Sequence, residues 1–382
     1  MYQIKFLKTL TLQRNPILPP KYKPKPKDPA YELTTTLSVT NDLGEQFYYG
    51  DVELTVQARY FIQNSPTAKN EVINITTIPW TRGKRSVDVK IPFSMRDAPA
   101  GGYVALHASV DPKAKMVDAM NYGKIPTETL IEETFEGLDT SFFKTCDDTS
   151  CGEIAGPWFL ATMTNLLQVP KTIEELPLKG EYMAIREIQN VLLYEEMSGT
   201  IARHLWDAGV MVNCWDVDEL AKFMSLGDKQ FTTSSKINIL ELGTGIGLVA
   251  VHLTKAMKRA TVLATDLEDA EEICNQNINL NGVGKRVKFS ELDWESPTST
   301  GIKWDVIIIT DCIYNPLYFE PLINVLKKES GPETHVVLAH KFREPYSESQ
   351  FFPKIDKFFR LRKQRWSSRE QKLIHMGLYT LK

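Results

Sequence analysis

The stretch INILELGTGIGLVAVHLTKAMKR, residues 237–259, constrains this chain more than any other. INILEL is apolar for the length of one strand, so it predicts a strand buried on both faces. GTGIG then turns the chain, and LVAVHLTKAMKR repeats with a helical period. A second run, TVLAT (261–265), ends on Asp266; DAEEICNQNINLNG is again helical and closes on Gly282. RVKFSEL, DVIIIT (305–310) and HVVLAH (335–340) are further strand-length runs. FFRLRKQRW and KLIHMGLYTL, separated by SSREQ, read as a closing antiparallel hairpin. Strands alternating with helices require a mostly parallel sheet covered on both faces.

Residues 31 to 111 carry a different pattern. YELTTTLSVT, DVELTVQARYFI, EVINITTI, RSVDVKIPF and GYVALHASV alternate with period two, and NDLG, NSPTAKN, TRGK and APAGG punctuate them. Short alternating strands at this spacing predict an antiparallel, sandwich-like module. Nothing in it has ligand spacing, so its expected role is structural or substrate docking. The chain is therefore expected to hold a basic, Pro-rich arm (1–29), a β-rich domain (30–150), a linker with a helical connection (151–189) and an α/β domain (190–382). The stretch GPWFLATMTNLLQV in the linker is expected to be helical.

Composition excludes several classes. A net charge of −3 over 382 residues gives no global field toward nucleic acid or a membrane. No run of eighteen apolar residues occurs, so no transmembrane helix is expected. The cysteines number five, an odd count that reads as reduced thiols and a cytoplasmic chain. Cys146 and Cys151 in CDDTSC lack neighbours for a metal site, so no metal is expected. The arm holds seven basic residues within its first 27 and no acid there, but a single arginine, no serine and clustered prolines; a solvated, extended segment fits it better than a presequence. KYKPKPK leaves nuclear entry open, and a monomer is expected.

The glycine turn identifies a ligand class. Gly243, Gly245 and Gly247 let backbone approach a ligand closely. The dinucleotide fingerprint wants its third glycine at 248, where this chain has Leu248. Asp266 ends the next strand about twenty residues on, placed to accept ribose hydroxyls. Glu241, just before the turn, suits a positively charged ligand and disfavours a polyphosphate. The set describes a nucleoside without a pyrophosphate, which is the shape of S-adenosylmethionine. Thr244 in the turn and Leu267 after Asp266 join the candidates, with Asp293 for the adenine amino group and Trp294 for a stacking face.

LELGTGIGLVAV, TDL, LDW and TDCIY, in this order, resemble the seven-strand methyltransferases, and more narrowly the protein-lysine methyltransferases that modify chaperones, elongation factors and AAA-type ATPases. That family carries a D/E-x-x-Y/F element after its fourth strand, matched here by Asp311-Cys312-Ile313-Tyr314. It also carries Trp-Asp/Glu-Ala upstream of the glycine loop, matched by Trp206, Asp207 and Ala208. The resemblance covers roughly 190–382. It implies a Rossmann-like methyltransferase sheet, S-adenosylmethionine as cofactor, Trp206 closing the cofactor pocket, and a protein substrate whose lysine is methylated. Asp311 is expected at a pocket mouth, orienting the amine or contacting cofactor and substrate together, with Tyr314 along the aliphatic stem. NPLY (315–318) nearly spells the N-P-P-Y signature of amide and base amino methyltransferases, but it falls four residues too late and has Leu317 for the second proline. The alternatives kept open are another acceptor on the same fold (histidine, RNA or a small molecule) and a non-catalytic interaction protein. His340 and Lys341, at a strand end, and the basic run Arg360, Arg362, Lys363 and Arg365 read more simply as a polar strand end and a solvated hairpin face.

Overall fold

The computed structural model describes residues 1–19, 21–111, 127–144, 148–151, 159–172, 175–226, 236–369 and 372–382. Two compact units emerge. One holds Met1–Gly123, Pro157–Glu187 and Tyr194–Gly199; the other holds Lys124–Gly156, Ile188–Leu193 and Thr200–Lys382.

The amino-terminal unit is a two-sheet sandwich. Its strands are β1 (Tyr2–Phe6), β2 (Thr11–Arg14), β3 (Tyr31–Thr40), β4 (Val52–Phe61), β5 (Asn70–Trp80), β6 (Val87–Phe93) and β7 (Tyr103–Val110). After β8 (Asp148–Cys151), which belongs to the other unit, come β9 (Phe159–Leu160), β10 (Thr162–Thr164), β11 (Leu167–Gln168), β12 (Leu178–Lys179), β13 (Met183–Ile188) and β14 (Val191–Glu196), the last two sharing the segment Ile188–Leu193 that is grouped with the other unit. One sheet runs β12-β2-β3-β1-β9 with β6 paired to β3; the other runs β14-β13-β10-β7-β4-β5 with β11 paired to β7. The period-two strands put their apolar residues inward. Leu12, Leu33, Val39 and Ile91 from one sheet share a core with Leu54, Val56 and Leu106 from the other.

Two expectations fail here. Residues 1–14 are not part of a solvated arm, because β1 and β2 pair with β3, burying Ile4, Phe6 and Leu12, whereas 16–19 and 21–29 hold no strand and are mostly exposed. Residues 159–168 are not helical: β9, β10 and β11 are two- and three-residue strands recruited by β1 and β7.

The carboxy-terminal unit is a Rossmann-like α/β fold. Its remaining strands are β15 (Ile237–Leu242), β16 (Ala260–Asp266), β17 (Val287–Glu291), β18 (Val306–Thr310), β19 (His335–Lys341), β20 (Phe359–Arg369) and β21 (Lys372–Leu381). The sheet order is β17-β16-β15-β18-β19-β21-β20-β8. From β17 to β19 the pairs are parallel, and β21 closes against β19 antiparallel. The hairpin expected from the last two runs is β20–β21. The helices are α1 (Thr127–Thr134), α2 (Ser141–Lys144), α3 (Asp207–Cys214), α4 (Val217–Phe223), α5 (Leu248–Ala256), α6 (Glu271–Leu280), α7 (Phe319–Glu329), α8 (Pro345–Glu348) and α9 (Phe351–Ile355). α7 shows the logic of the layer: Phe319, Leu322, Ile323 and Leu326 form its buried stripe, and Lys327 and Lys328 sit at its negative C-terminal end.

The boundaries at 150 and 190 also shift. Leu130, Phe135 and Phe143 join the core of the α/β unit, and β8 adds an eighth strand at its edge. Cys146 lies outside the described residues, as does the side chain of Cys151.

Candidate active site

Four parallel strands end side by side, and the loops that follow them carry almost every residue the sequence singled out. At the end of β15, Gly243, Gly245 and Gly247 have φ of 72°, 53° and 84°. All three are also tightly enclosed, a Cβ at 247 lying 3.0 Å from Cys274 Sγ. A Cβ at 243 would lie 2.3 Å from Cys312 Sγ and 3.6 Å from Trp294, and one at 245 would lie 3.1 Å from the Ala202 carbonyl. The turn thus sits in a cradle made by the loops after β17 and β18 and by the segment leading to α3.

Four amides of this turn are committed inward. Gly243 and Thr244 N–H donate to the Thr265 carbonyl, both at 2.9 Å, and Gly247 N–H donates to Thr244 at 2.9 Å. Gly245 N–H donates to Asp266 Oδ2 at 2.7 Å. A phosphate nest needs such donors facing outward. The turn instead offers shape and close approach. Asp266 also accepts from Leu267 N–H through Oδ1 at 2.9 Å. Burial raises its carboxyl above the usual range, against those hydrogen bonds. Leu267 beside it is half exposed.

Glu241 is buried, and its Oε2 accepts from the Thr244 hydroxyl at 2.7 Å. Burial pushes its carboxyl up to about 8, with the nearby charge of Asp266 adding to the effect. Leu292 N–H pairs with the Asp266 carbonyl, which carries the chain past β17 and sets Asp293 and Trp294 beside the strand-end acid. Trp294 packs half-buried on the core, whereas Asp293 is exposed and accepts from Glu295 N–H at 2.9 Å within its own turn.

Trp206 sits at the N-cap of α3, where its indole N–H donates to the Ile201 carbonyl at 3.0 Å. The Arg343 guanidinium lies 5.3 Å over its ring.

Asp311 corrects the sequence reading. It was expected at an open pocket mouth; instead it is buried and surrounded by donors. Ala208 N–H reaches Oδ2 at 2.8 Å, Lys341 N–H reaches Oδ1 at 2.9 Å, and Arg343 donates to both oxygens at 2.9 and 3.3 Å. Burial alone would push this carboxyl up, but Arg343, His340 and the hydrogen bonds together hold it below the usual carboxylate range. Its backbone takes φ of 55°, which turns the chain sharply out of β18. The carboxylate therefore caps the first turn of α3, a helix that precedes it in sequence. Beside it, Lys341 pairs with Asp207 at 2.6 Å, both buried. His340 lies between Asp311 and Glu348, at 3.5 and 3.4 Å.

Tyr314, three residues on, is 45% exposed, with Leu317 at 79% and Tyr318 at 38%. Partial burial and nearby acidic groups raise the Tyr314 phenol, which stays protonated at neutral pH. Arg343 was not recognised in the sequence: no local pattern marks an arginine two residues past a strand end. Nor were Cys312 and the Ala202 carbonyl, the groups that enforce glycine at 243 and 245.

Residues 186–358 match the family model described as lysine methyltransferase. Among similar curated proteins, a UPF0665 family protein of Schizosaccharomyces pombe is 32% identical over 167 residues, covering 42% of this chain and 48% of that protein. Protein-lysine N-methyltransferase EFM2 of Saccharomyces cerevisiae is 27% identical over 164 residues, covering 38% of this chain and 39% of that protein. Protein-lysine N-methyltransferase rrg1 of Schizosaccharomyces pombe is 30% identical over 127 residues, covering 30% of this chain and 42% of that protein. The chain spans less than half the length of each of these relatives.

Proposed function

We propose that this chain is an S-adenosylmethionine-dependent protein-lysine N-methyltransferase, proceeding from the match of residues 186–358 to the lysine methyltransferase family. The observation that carries the reading is the glycine turn. Its amides are consumed internally while its glycines are cradled by Trp294, Cys312 and Ala202. Such a turn suits the flat, uncharged face of a nucleoside and, with four of its amides already paired, gives a pyrophosphate few donors.

The residues fit the cofactor. Asp266 would hold the ribose hydroxyls, Leu267 and Trp294 would bracket the base, and Glu241 and Thr244 would face its cationic portion beneath the turn. Asp293 would serve the adenine amino group only by leaving its own turn. Trp206 would close the pocket from the α3 side. When bound, the cofactor supplies an electrophilic methyl group on a sulfonium sulfur.

The chain's own part concerns the acceptor. A lysine must be neutral to attack, and a free one, with a pKa of about 10.4, is almost wholly protonated at pH 7. Tyr314 is the exposed polar group of the TDCIY loop, so its phenol oxygen would accept from the amine and aim it. Leu317 and Tyr318 would line the aliphatic stem. Asp311, with its oxygens already holding Arg343 and two amides, would fix the loop that presents Tyr314. Positioning, rather than a dedicated base, would supply most of the acceleration. Among the described residues, Cys274 and Cys312 are buried free thiols. That supports a reducing, cytoplasmic setting, and we propose a monomer there, with nuclear entry open.

The test is transfer of tritiated methyl from the cofactor to a cell extract. The expected result is a labelled protein, resistant to ribonuclease and yielding methyl-lysine on hydrolysis, with label lost in Asp266→Ala. Label in RNA, or in another amino acid, would replace the acceptor. A folded protein that gives no calorimetric signal with S-adenosylhomocysteine would overturn the enzyme reading itself.

A further inference from the structure

We infer that the amino-terminal sandwich carries a docking groove for an extended, acidic peptide segment. A cavity of about 540 Å³ lies within this unit, on the outer face of the β12-β2-β3 sheet. Its floor and rim include Thr11, Thr34, Thr36, Lys8, Lys90 and Lys179. The strand register explains the arrangement. Lys179 is opposite Thr11, Thr11 is opposite Thr34, and Thr34 is opposite Lys90. One row of side chains therefore crosses four strands, with a lysine at each end and threonine hydroxyls between.

Charge and span together define the occupant. The lining holds three lysines against one acid, Asp88, whose Oδ1 already accepts from the Thr36 hydroxyl at 2.8 Å. Glu32, farther along the same face, is buried and accepts from Gln13 at 2.8 Å. All three lysines are exposed, so their ammonium groups face solvent. Neighbouring strands lie about 4.8 Å apart, so three spacings put the end lysines roughly 14 Å from each other. An extended chain advances about 3.4 Å per residue. Carboxylates at positions i and i+4 of an extended segment, which point to the same side, therefore span the row. The threonine hydroxyls would donate to the segment between them. Nucleic acid suits this groove poorly. Lysine offers no bidentate fork, and the aromatic side chain in the lining, Tyr182, has its hydroxyl tied to the Leu7 carbonyl at 3.2 Å.

The inference stands apart from the methyl-transfer reading and is tested by binding. The probe is a fluorescein-labelled Gly/Ser peptide with glutamate at every fourth position, followed by anisotropy in 50 mM salt with the full-length chain. Binding is expected, at least tenfold weaker in Lys90→Glu/Lys179→Glu, weakened by 0.5 M salt, and unchanged in Lys69→Glu, a surface lysine outside the lining. A peptide with adjacent glutamates should bind several-fold more weakly. The inference fails if the peptide does not bind at millimolar concentration, if Lys69→Glu weakens it as much as the groove variant, or if a poly(U) oligonucleotide binds more tightly. The substituted lysines are exposed, so an unchanged circular dichroism spectrum is expected and checks that the variants fold.

Discussion

Replacing Gly243 by alanine tests the cradle at its tightest point. Two costs add. The residue sits at φ of 72°, where a Cβ crowds the following carbonyl and costs roughly 1–2 kcal/mol. The new Cβ would also lie 2.3 Å from Cys312 Sγ, more than an ångström inside ordinary contact. The sulfur has little room to retreat: it is buried and 3.4 Å from the Leu242 carbonyl. Overpacking of this kind costs about 1–3 kcal/mol. The sum is about 2–5 kcal/mol, which lowers the melting temperature of the α/β unit on the order of 10 °C. Cys312→Ala separates the two parts, since it removes the sulfur and leaves the backbone alone. In that background Gly243→Ala should cost only its conformational share, giving a coupling of roughly 1–3 kcal/mol in a double-mutant cycle. Urea unfolding followed by tryptophan fluorescence measures it, because Trp294 lies beside the turn. A cost for Gly243→Ala that is the same with and without the sulfur would refute the packing argument.

Other outcomes follow from the same geometry. Glu241, raised to about 8 by burial, retains its proton in the folded chain where the unfolded chain has lost it, so its contribution to stability is fully present below about 4.5 and is lost as pH rises through 8. Relative to wild type, Glu241→Gln should therefore gain stability in thermal melts at pH 9 compared with pH 6. Because a cationic ligand favours the ionised carboxylate, affinity for S-adenosylmethionine should rise up to tenfold per pH unit below 8 and level off above it; a flat calorimetric profile would remove Glu241 from the site. Asp311→Ala leaves the partly buried Arg343 guanidinium without its carboxylate and should cost up to about 3–5 kcal/mol in unfolding experiments; a variant of native stability that lacks activity would make Asp311 catalytic instead. Tyr314→Phe, at a half-exposed position, should change stability by under about 0.5 kcal/mol while lowering kcat; an unaltered rate would place the acceptor amine elsewhere.

Most of the α/β unit was legible because its signals are local. INILEL, DVIIIT and HVVLAH are strands whichever neighbours they take, and the glycines between β15 and α5 report a turn that few other residues could make. The amino-terminal segment was misread because its pairing is not local. YQIKF finds β3 more than thirty residues away and β9 more than 150 residues away, and neither partner can be inferred from seven basic residues and a proline cluster. The same reason moved residues 127–151 into the other unit, since β8 pairs with β20 across two hundred residues. In the site, the acid at 311 was visible as a strand-end carboxylate, but its partner Arg343 follows a different strand. Burial of Glu241 was hidden too, because an acid within an apolar run reads alike whether it lines a pocket or lies beneath it.

The buried charges around Asp311 bear on how an acceptor is activated. Lys341–Asp207 and Arg343–Asp311 join the ends of β18 and β19 to the first turn of α3. Ion pairs so enclosed contribute little net stability compared with apolar packing, but each fixes an orientation, since breaking one leaves its partner uncompensated. The orientation fixed here is the left-handed turn at Asp311, which sends Cys312 under Gly243 and Tyr314 outward. One carboxylate thus sets both the floor of the cofactor turn and the exposed phenol. A group held ionised by an arginine and two amides is a poor proton acceptor, and its attraction for an incoming ammonium is largely cancelled by the guanidinium. On the proposed lysine reading, the proton of the acceptor would therefore leave by way of solvent near Tyr314. The strand-end acid works through the loop it holds in place.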